Sequence, residues 1–153
     1  MRIAITGTPG TGKSAVAVAL GRLLGWDVLD LNRLADKQQL YSGNDRERGV
    51  PIVDIDKVTR AADKLSGDLI VESHYAHDLP CDQIVVLRCN PGMLKKRLKE
   101  KGWPQKKIDE NVQAEIMEVC LDEAREHGPV LEIDTTHTTP EEAAAQVRSG
   151  LRL

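Results

Sequence analysis

Eight residues near the N-terminus restrict this chain more than any others: Gly7-Thr8-Pro9-Gly10-Thr11-Gly12-Lys13-Ser14. They match the pattern G-x-x-x-x-G-K-[ST] in full. A polyphosphate carries several negative charges, so its site needs many donors and little side-chain bulk. Glycines let the backbone curl until its N–H groups point inward as an anion nest. Arg2 to Thr6 reads as an apolar strand leading into the loop. Lys13 to Leu24 reads as a helix leading out, with Val16, Leu20, Leu23 and Leu24 on one face. The helix start adds its positive end to the nest. Gly10, Gly12, Lys13, Ser14 and Ala15, together with Lys101 farther along the chain, are the expected nucleotide-binding residues. Lys13 reaches the β and γ phosphates of ATP, and the Ser14 hydroxyl ligates magnesium.

The remaining pattern fits a strand–helix alternation within one domain of 153 residues. Strands are expected at Trp26–Asp30, Leu69–Val71, Ile84–Leu87 and Val130–Ile133. Helices are expected at Asn32–Leu40, Asp54–Leu65 with Asp54 as N-cap, Pro91–Lys101 and Pro140–Leu151. A further long helix would carry Ile108, Val112, Ile116 and Val119 at helical spacing, and Ser42-Gly43-Asn44-Asp45 reads as a turn. Five strands, each followed by a helix, predict a five-stranded parallel sheet with helices on both faces. That is a three-layer P-loop NTPase fold.

A P-loop enzyme needs a carboxylate near its magnesium, commonly at the end of a buried strand. Glu72 ends the run Leu69-Ile70-Val71 and fits, with Asp30, also at a strand end, as its rival. His74, two residues beyond Glu72, is placed to orient a water or sense a γ-phosphate. Lys95 to Lys107 holds seven basic residues and one acidic, leaving the rest of the chain at −9 when the total is −3. A Gly102-Trp103-Pro104 break among those cations suits a lid that closes over a transferring phosphoryl group. The total of −3 gives no general nucleic-acid signal, and no DNA partner is expected. Neither D-x-x-G nor N-K-x-D, the guanine-nucleotide elements, occurs. The three cysteines form no C-x-x-C pair and read as reduced thiols. No apolar run is long enough to span a membrane, and no signal peptide is evident. A cytoplasmic protein is the expectation.

In the order of its segments the chain resembles the adenylate kinase isoenzyme 6 family, including its archaeal members. Besides the P-loop, the resemblance rests on Gln39-Leu40-Tyr41 with Gly43, Pro51-Ile52-Val53-Asp54-Ile55-Asp56, Glu72-Ser73-His74 and Val86-Leu87-Arg88. Arg97-Leu98, Lys101-Gly102, Lys107-Ile108 and Asn111-Val112-Gln113-Ala114-Glu115-Ile116 complete it. It implies a nucleoside monophosphate kinase-like fold with a monophosphate-binding region at about 30–53 and a lid at about 100–110. It implies reversible phosphoryl transfer from ATP to AMP or a related monophosphate, and ATPase activity. It also implies a role on the pre-ribosomal small subunit, in late maturation with processing of the 16S rRNA 3′ end. There a small-subunit ribosomal protein, number eleven, would be bound transiently and released on hydrolysis.

The chain departs from the family pattern at three points. Glu72-Ser73-His74 stands where Asp-aromatic-His is usual. Lys101 replaces a lid arginine, which keeps the charge and loses the bidentate fork. Asp36 replaces a basic residue of the monophosphate region, where Arg33 and Lys37, one turn apart, are the substitutes. Two functions stand side by side at this level. In a monophosphate kinase, Arg97 and Lys101 stabilise the transferred charge. In an assembly ATPase, Glu72 organises magnesium and His74 positions water. A nucleotide-binding regulator without turnover is the third.

Overall fold

The structure is a computed structural model that describes residues 1–153. Chain order is β1 (Arg2–Gly7), α1 (Lys13–Leu24), β2 (Asp27–Asp30), α2 (Leu31–Gln38), β3 (Tyr41–Asp45), β4 (Val50–Val53), α3 (Ile55–Asp63), β5 (Leu69–Glu72), β6 (Gln83–Arg88), α4 (Pro91–Glu100), α5 (Gln105–Ile116), α6 (Val119–Arg125), β7 (Val130–Asp134) and α7 (Pro140–Gly150). Five strands form one sheet in the order β2-β5-β1-β6-β7, every pair parallel. The expected five-stranded parallel sheet is thus present, with β1 at its centre.

Alternation along the central strands sends side chains to two separate cores. On one face Ile3, Ile5, Ile70, Val85 and Leu87 meet Val16, Ala17 and Leu20 of α1 and Ala143, Ala144 and Val147 of α7. On the other, Ala4, Val71, Ile84 and Val86 meet Leu31 and Ala35 of α2, Val58 and Ala62 of α3, and Leu121 and Ala124 of α6. This is the three-layer arrangement, and it leaves the carboxyl ends of all five strands along one edge, where α/β proteins bind ligands.

Local signals explain the helix starts. Asp54 caps α3 by accepting from the Lys57 amide at 3.1 Å, as expected. Asn90 caps α4 with Pro91 in its first turn. Thr139 and Glu142 form a reciprocal capping box on α7.

The structure corrects three expectations. Ser42–Asp45 is not a turn but part of strand β3, which pairs antiparallel with β4 through Asn44↔Pro51 and Asp45↔Val50. The reversal comes later, at Gly49 (φ 64°), where Asp45 Oδ1 accepts from the amides of Glu47 and Arg48. The long helix breaks at Glu118, whose φ of 57° is left-handed. The break leaves Ile116 54% and Val119 42% exposed while turning Cys120, Leu121 and Ala124 inward. On α1, Leu23 is exposed. The buried position on that turn is Gly21, where a Cβ would lie 2.5 Å from Val28 Cγ2.

Candidate nucleotide site

The loop between β1 and α1 sits at the carboxyl end of the central strand, where β5 lies to one side and β6 to the other. Gly10 (φ 92°) packs so closely on α4 that a Cβ would lie 2.8 Å from Leu94 Cδ1 and 2.9 Å from Leu98 Cδ2. Gly12 (φ 95°) faces open space, with no atom within 4 Å of where a Cβ would stand. The first glycine is needed for packing. The second is needed for a backbone conformation that turns amides outward, and for the room a phosphate takes.

Lys13 Nζ donates to the Thr8 carbonyl at 3.2 Å. Burial is the largest influence on this ammonium and lowers its pKa to about 8, with Glu72 pulling the other way. It is a cation short of anionic partners, as the floor of a phosphate site requires.

On the β5 side, Ser14 Oγ donates to Glu72 Oε1 at 2.8 Å, and Glu72 is buried. Burial raises the Glu72 pKa. The Ser14 hydrogen bond opposes that rise, and neighbouring Asp30 adds to it. Asp30 is the strand partner of Glu72, but its Oδ1 caps α2 by accepting from the Arg33 amide at 3.0 Å. A serine hydroxyl and a carboxylate oxygen in contact, with a second carboxylate alongside, are hard oxygen donors and fit magnesium. No three His, Cys, Asp or Glu side chains converge as a self-sufficient metal cage.

His74 follows on the turn after β5, its ring edge-on to Tyr75 at 5.1 Å. Desolvation of the imidazole, then the Lys13 ammonium and His77, lower its pKa to about 4. At neutral pH it is an uncharged hydrogen-bonding group within electrostatic reach of Lys13.

The structure places Arg97 on the other side of β1. Its guanidinium is tied to the end of β7, with Nη2 donating to the Thr135 carbonyl at 2.6 Å and Nη1 to the Gly10 carbonyl at 3.4 Å. Beside it lies a cavity of about 390 Å³ lined by Gly12, Ala15, Val16, Lys101, Thr138 and Pro140, among others. Arg97 therefore faces a side cavity across the loop from Glu72 and His74, while Lys101 is exposed at the end of α4.

Beyond them, α4 and α5 form a hairpin with its own small core of Cys89, Leu94, Leu98 and Ile108. Trp103 at its tip lies under Lys107 Nζ at 3.8 Å. Arg33 and Lys37 are exposed on α2, which starts directly at the end of β2. Asp36 is occupied by the Tyr41 hydroxyl at 3.2 Å.

Two residues that the sequence does not single out also hold the loop. Thr135 Oγ1 donates to the Thr11 carbonyl at 2.6 Å, bracing the loop from β7. Glu115 accepts from Thr8 Oγ1 at 2.8 Å. A hydroxyl directly after a strand end was the available clue to Thr135. Glu115 lies within Asn111–Ile116, a segment of the family resemblance that by itself implies no role for it.

Residues 3–118 match a family model described as "AAA domain". The chain is 39% identical over 155 residues to a protein of Methanocaldococcus jannaschii named "Putative adenylate kinase", covering 99% of this chain and 86% of that protein. It is 46% identical over 157 residues to a Halobacterium salinarum protein of the same name, covering 99% and 90%. Among solved structures, shikimate kinase from Bacteroides thetaiotaomicron superposes with a TM-score of 0.68 at 16% identity, covering 100% of this chain and 99% of that one. At that identity the last comparison speaks for the fold alone, that of a small P-loop kinase. With full-length relatives well above the level at which common descent is secure, this chain belongs to the family of these archaeal adenylate kinase-named proteins.

Proposed function

We propose that the protein transfers the γ-phosphoryl group of ATP to a nucleoside monophosphate, AMP foremost, and hydrolyses ATP when no acceptor is bound. The supporting observation is the convergence of Lys13, Ser14 and Glu72 on one loop, with Ser14 and Glu72 in direct contact at 2.8 Å. The name borne by the relatives supplies the acceptor class. Ser14 and Glu72 would hold magnesium, which when bound neutralises charge on the β and γ phosphates.

The chain's own residues supply the remainder. Loop amides and the start of α1 seat the donor phosphates. Lys13 places its ammonium where charge gathers. The bond from the γ-phosphorus to the bridging oxygen breaks, and a new one forms to an acceptor phosphate oxygen. That oxygen is already ionised, so no base is needed, and positioning with electrostatics suffices. Lys101 lies at the lid tip to offset charge on the transferred group. Arg33 and Lys37 on α2 are the cations for the acceptor phosphate. Arg97 would act on the donor nucleotide from the cavity that it lines, in place of the role on the transferred charge expected from the sequence.

Hydrolysis draws on a different residue. Uncharged His74 can accept a hydrogen bond from water and orient it toward the γ-phosphorus, with the proton leaving on the phosphate product. This favours an ATPase activity alongside the kinase one. Its cellular use, on the family resemblance, is late maturation of the small ribosomal subunit through transient binding of a ribosomal protein.

Parallel assays of ADP and phosphate release, with and without each monophosphate, test the reading. Two ADP formed per ATP consumed with AMP is the expected result. Phosphate release unaffected by every monophosphate would leave an ATPase only. Equal affinity of the ribosomal protein for the ADP-bound protein and for that bound to a non-hydrolysable ATP analogue would remove the release step.

A further inference from the structure

Glu115 is one of very few carboxylates in the protein that are almost wholly buried, at 3% exposure. Burying a charge is costly unless every lone pair is used. Here three donors from different parts of the site meet the carboxylate and offset that cost. Oε1 accepts from Thr8 Oγ1 of the phosphate loop at 2.8 Å. Oε2 accepts from Arg88 Nε at the end of β6 at 3.0 Å and from the Cys89 amide at 3.0 Å. The Arg88 guanidinium also donates Nη2 to the Glu115 carbonyl at 3.2 Å.

The important partner is Thr8. It is itself buried, and its carbonyl is the inner acceptor of the loop. It receives Lys13 Nζ at 3.2 Å, Thr11 Oγ1 at 2.7 Å and the Thr11 amide at 3.2 Å. Fixing the Thr8 side chain fixes the peptide plane against which Lys13 is held. We propose that Glu115 is a positioning residue for phosphate binding, holding the loop in its nucleotide-ready shape through Thr8. Its own carboxylate is buried and bonded to Thr8, Arg88 and Cys89. It therefore acts on affinity by preorganisation: a loop already in its bound shape loses less freedom when the nucleotide arrives.

The residue also explains how the lid is mounted. Glu115 lies near the end of α5, the second helix of the lid hairpin. At the other helix, Gly10 packs on Leu94 and Leu98 of α4. The phosphate loop is thus held from both lid helices, at Gly10 by α4 and at Thr8 by α5. The inference rests on the nucleotide reading above and adds to it a residue, Glu115, and a route through Thr8.

The test is calorimetric titration of ADP into the full chain and its variants, with thermal unfolding recorded alongside. Thr8→Val removes the hydroxyl at nearly constant volume, and Thr8→Ser restores it. The expected result is ADP binding about ten-fold weaker in Thr8→Val and within about two-fold of the parent in Thr8→Ser. Glu115→Gln should weaken binding as well. In the double variant Thr8→Val/Glu115→Gln the loss should be smaller than the product of the two single losses, because both changes act on the one Thr8–Glu115 hydrogen bond.

Thr8→Val binding ADP like the parent would overturn the proposal, and so would losses that simply multiply in the double variant. A fall in melting temperature with unchanged affinity would likewise overturn it, leaving Glu115 a purely structural residue. Should Glu115→Gln fail to fold, the Thr8→Val and Thr8→Ser pair decides alone. A parent protein that binds no ADP would instead defeat the nucleotide reading itself.

Discussion

Asp30 and Glu72 stand side by side as partners on neighbouring strands, yet only Glu72 reaches the phosphate loop. Its Oε1 takes the Ser14 hydroxyl at 2.8 Å, while Asp30 Oδ1 takes the Arg33 amide at 3.0 Å. One carboxylate meets the loop and the other starts a helix.

Charge removal at the two positions should therefore have unequal results. Glu72→Gln should lower magnesium-dependent turnover on the order of a hundred-fold or more. Asp30→Asn keeps a good N-cap and should cost a few tenths of a kcal/mol or less in stability, with turnover within about ten-fold of the parent. Steady-state rates across a magnesium titration check both. A severe Asp30→Asn with a mild Glu72→Gln would reverse the assignment.

Lys13 sets a pH dependence whose sign can be worked out. Its folded-state pKa, about 8, lies below the ordinary 10.5. The unfolded chain then holds more protons than the folded one across that window, so this site's contribution to stability rises with pH through it. Nucleotide affinity runs the opposite way, falling as pH climbs past about 8 and the free protein loses the ammonium. Binding near that pH should take up a proton, visible as a buffer-dependent heat in calorimetry. Lys13→Ala should fold at least as stably as the parent and show neither activity.

His74 should separate hydrolysis from binding. His74→Ala is expected to keep ATP affinity within several-fold and lose most phosphate release, a drop of about ten- to a hundred-fold. With its pKa lowered to about 4 in the nucleotide-free protein, the imidazole should show no titration step between pH 6 and 8 when its NMR signals are followed without ATP. Phosphate release in single turnover, with ATP saturating, is the measurement for the variant.

Gly10 offers a test of how the loop is mounted. Gly10→Ala forces a Cβ to 2.8 Å from Leu94 Cδ1 on a backbone with φ 92°, and should cost about 1–3 kcal/mol of stability. Gly12→Ala meets no atom of the protein within 4 Å. It should be the milder of the two for folding and still block nucleotide binding. Denaturant unfolding and ADP titration of the two variants separate packing from binding.

The parts of the site that were legible in the sequence are those with a repeating physical cause. A strand that must be buried on both faces shows as Leu69-Ile70-Val71, and the carboxylate at its end followed from that. The β3–β4 hairpin was not legible, because most of its residues are exposed, so no burial period marks it. The Glu118 break was hidden for the opposite reason. Ile116 and Val119 continue the apolar spacing of α5 although both end up exposed. Arg97 and Thr135 meet through the fold alone, 38 residues apart in the chain, and no local pattern announces such a pair.

The Arg97 anchorage also bears on how this protein can diverge. The guanidinium is held mainly by carbonyls, those of Gly10, Thr135 and Thr136, with one side-chain hydroxyl, that of Thr135, added. Every residue type presents a carbonyl. Substitutions at positions 135 and 136 that preserve the chain path would thus leave most of the arginine's anchorage intact. The arginine's place therefore follows the chain path, and what a substitution at 135 would give up is the hydroxyl that braces the loop at the Thr11 carbonyl.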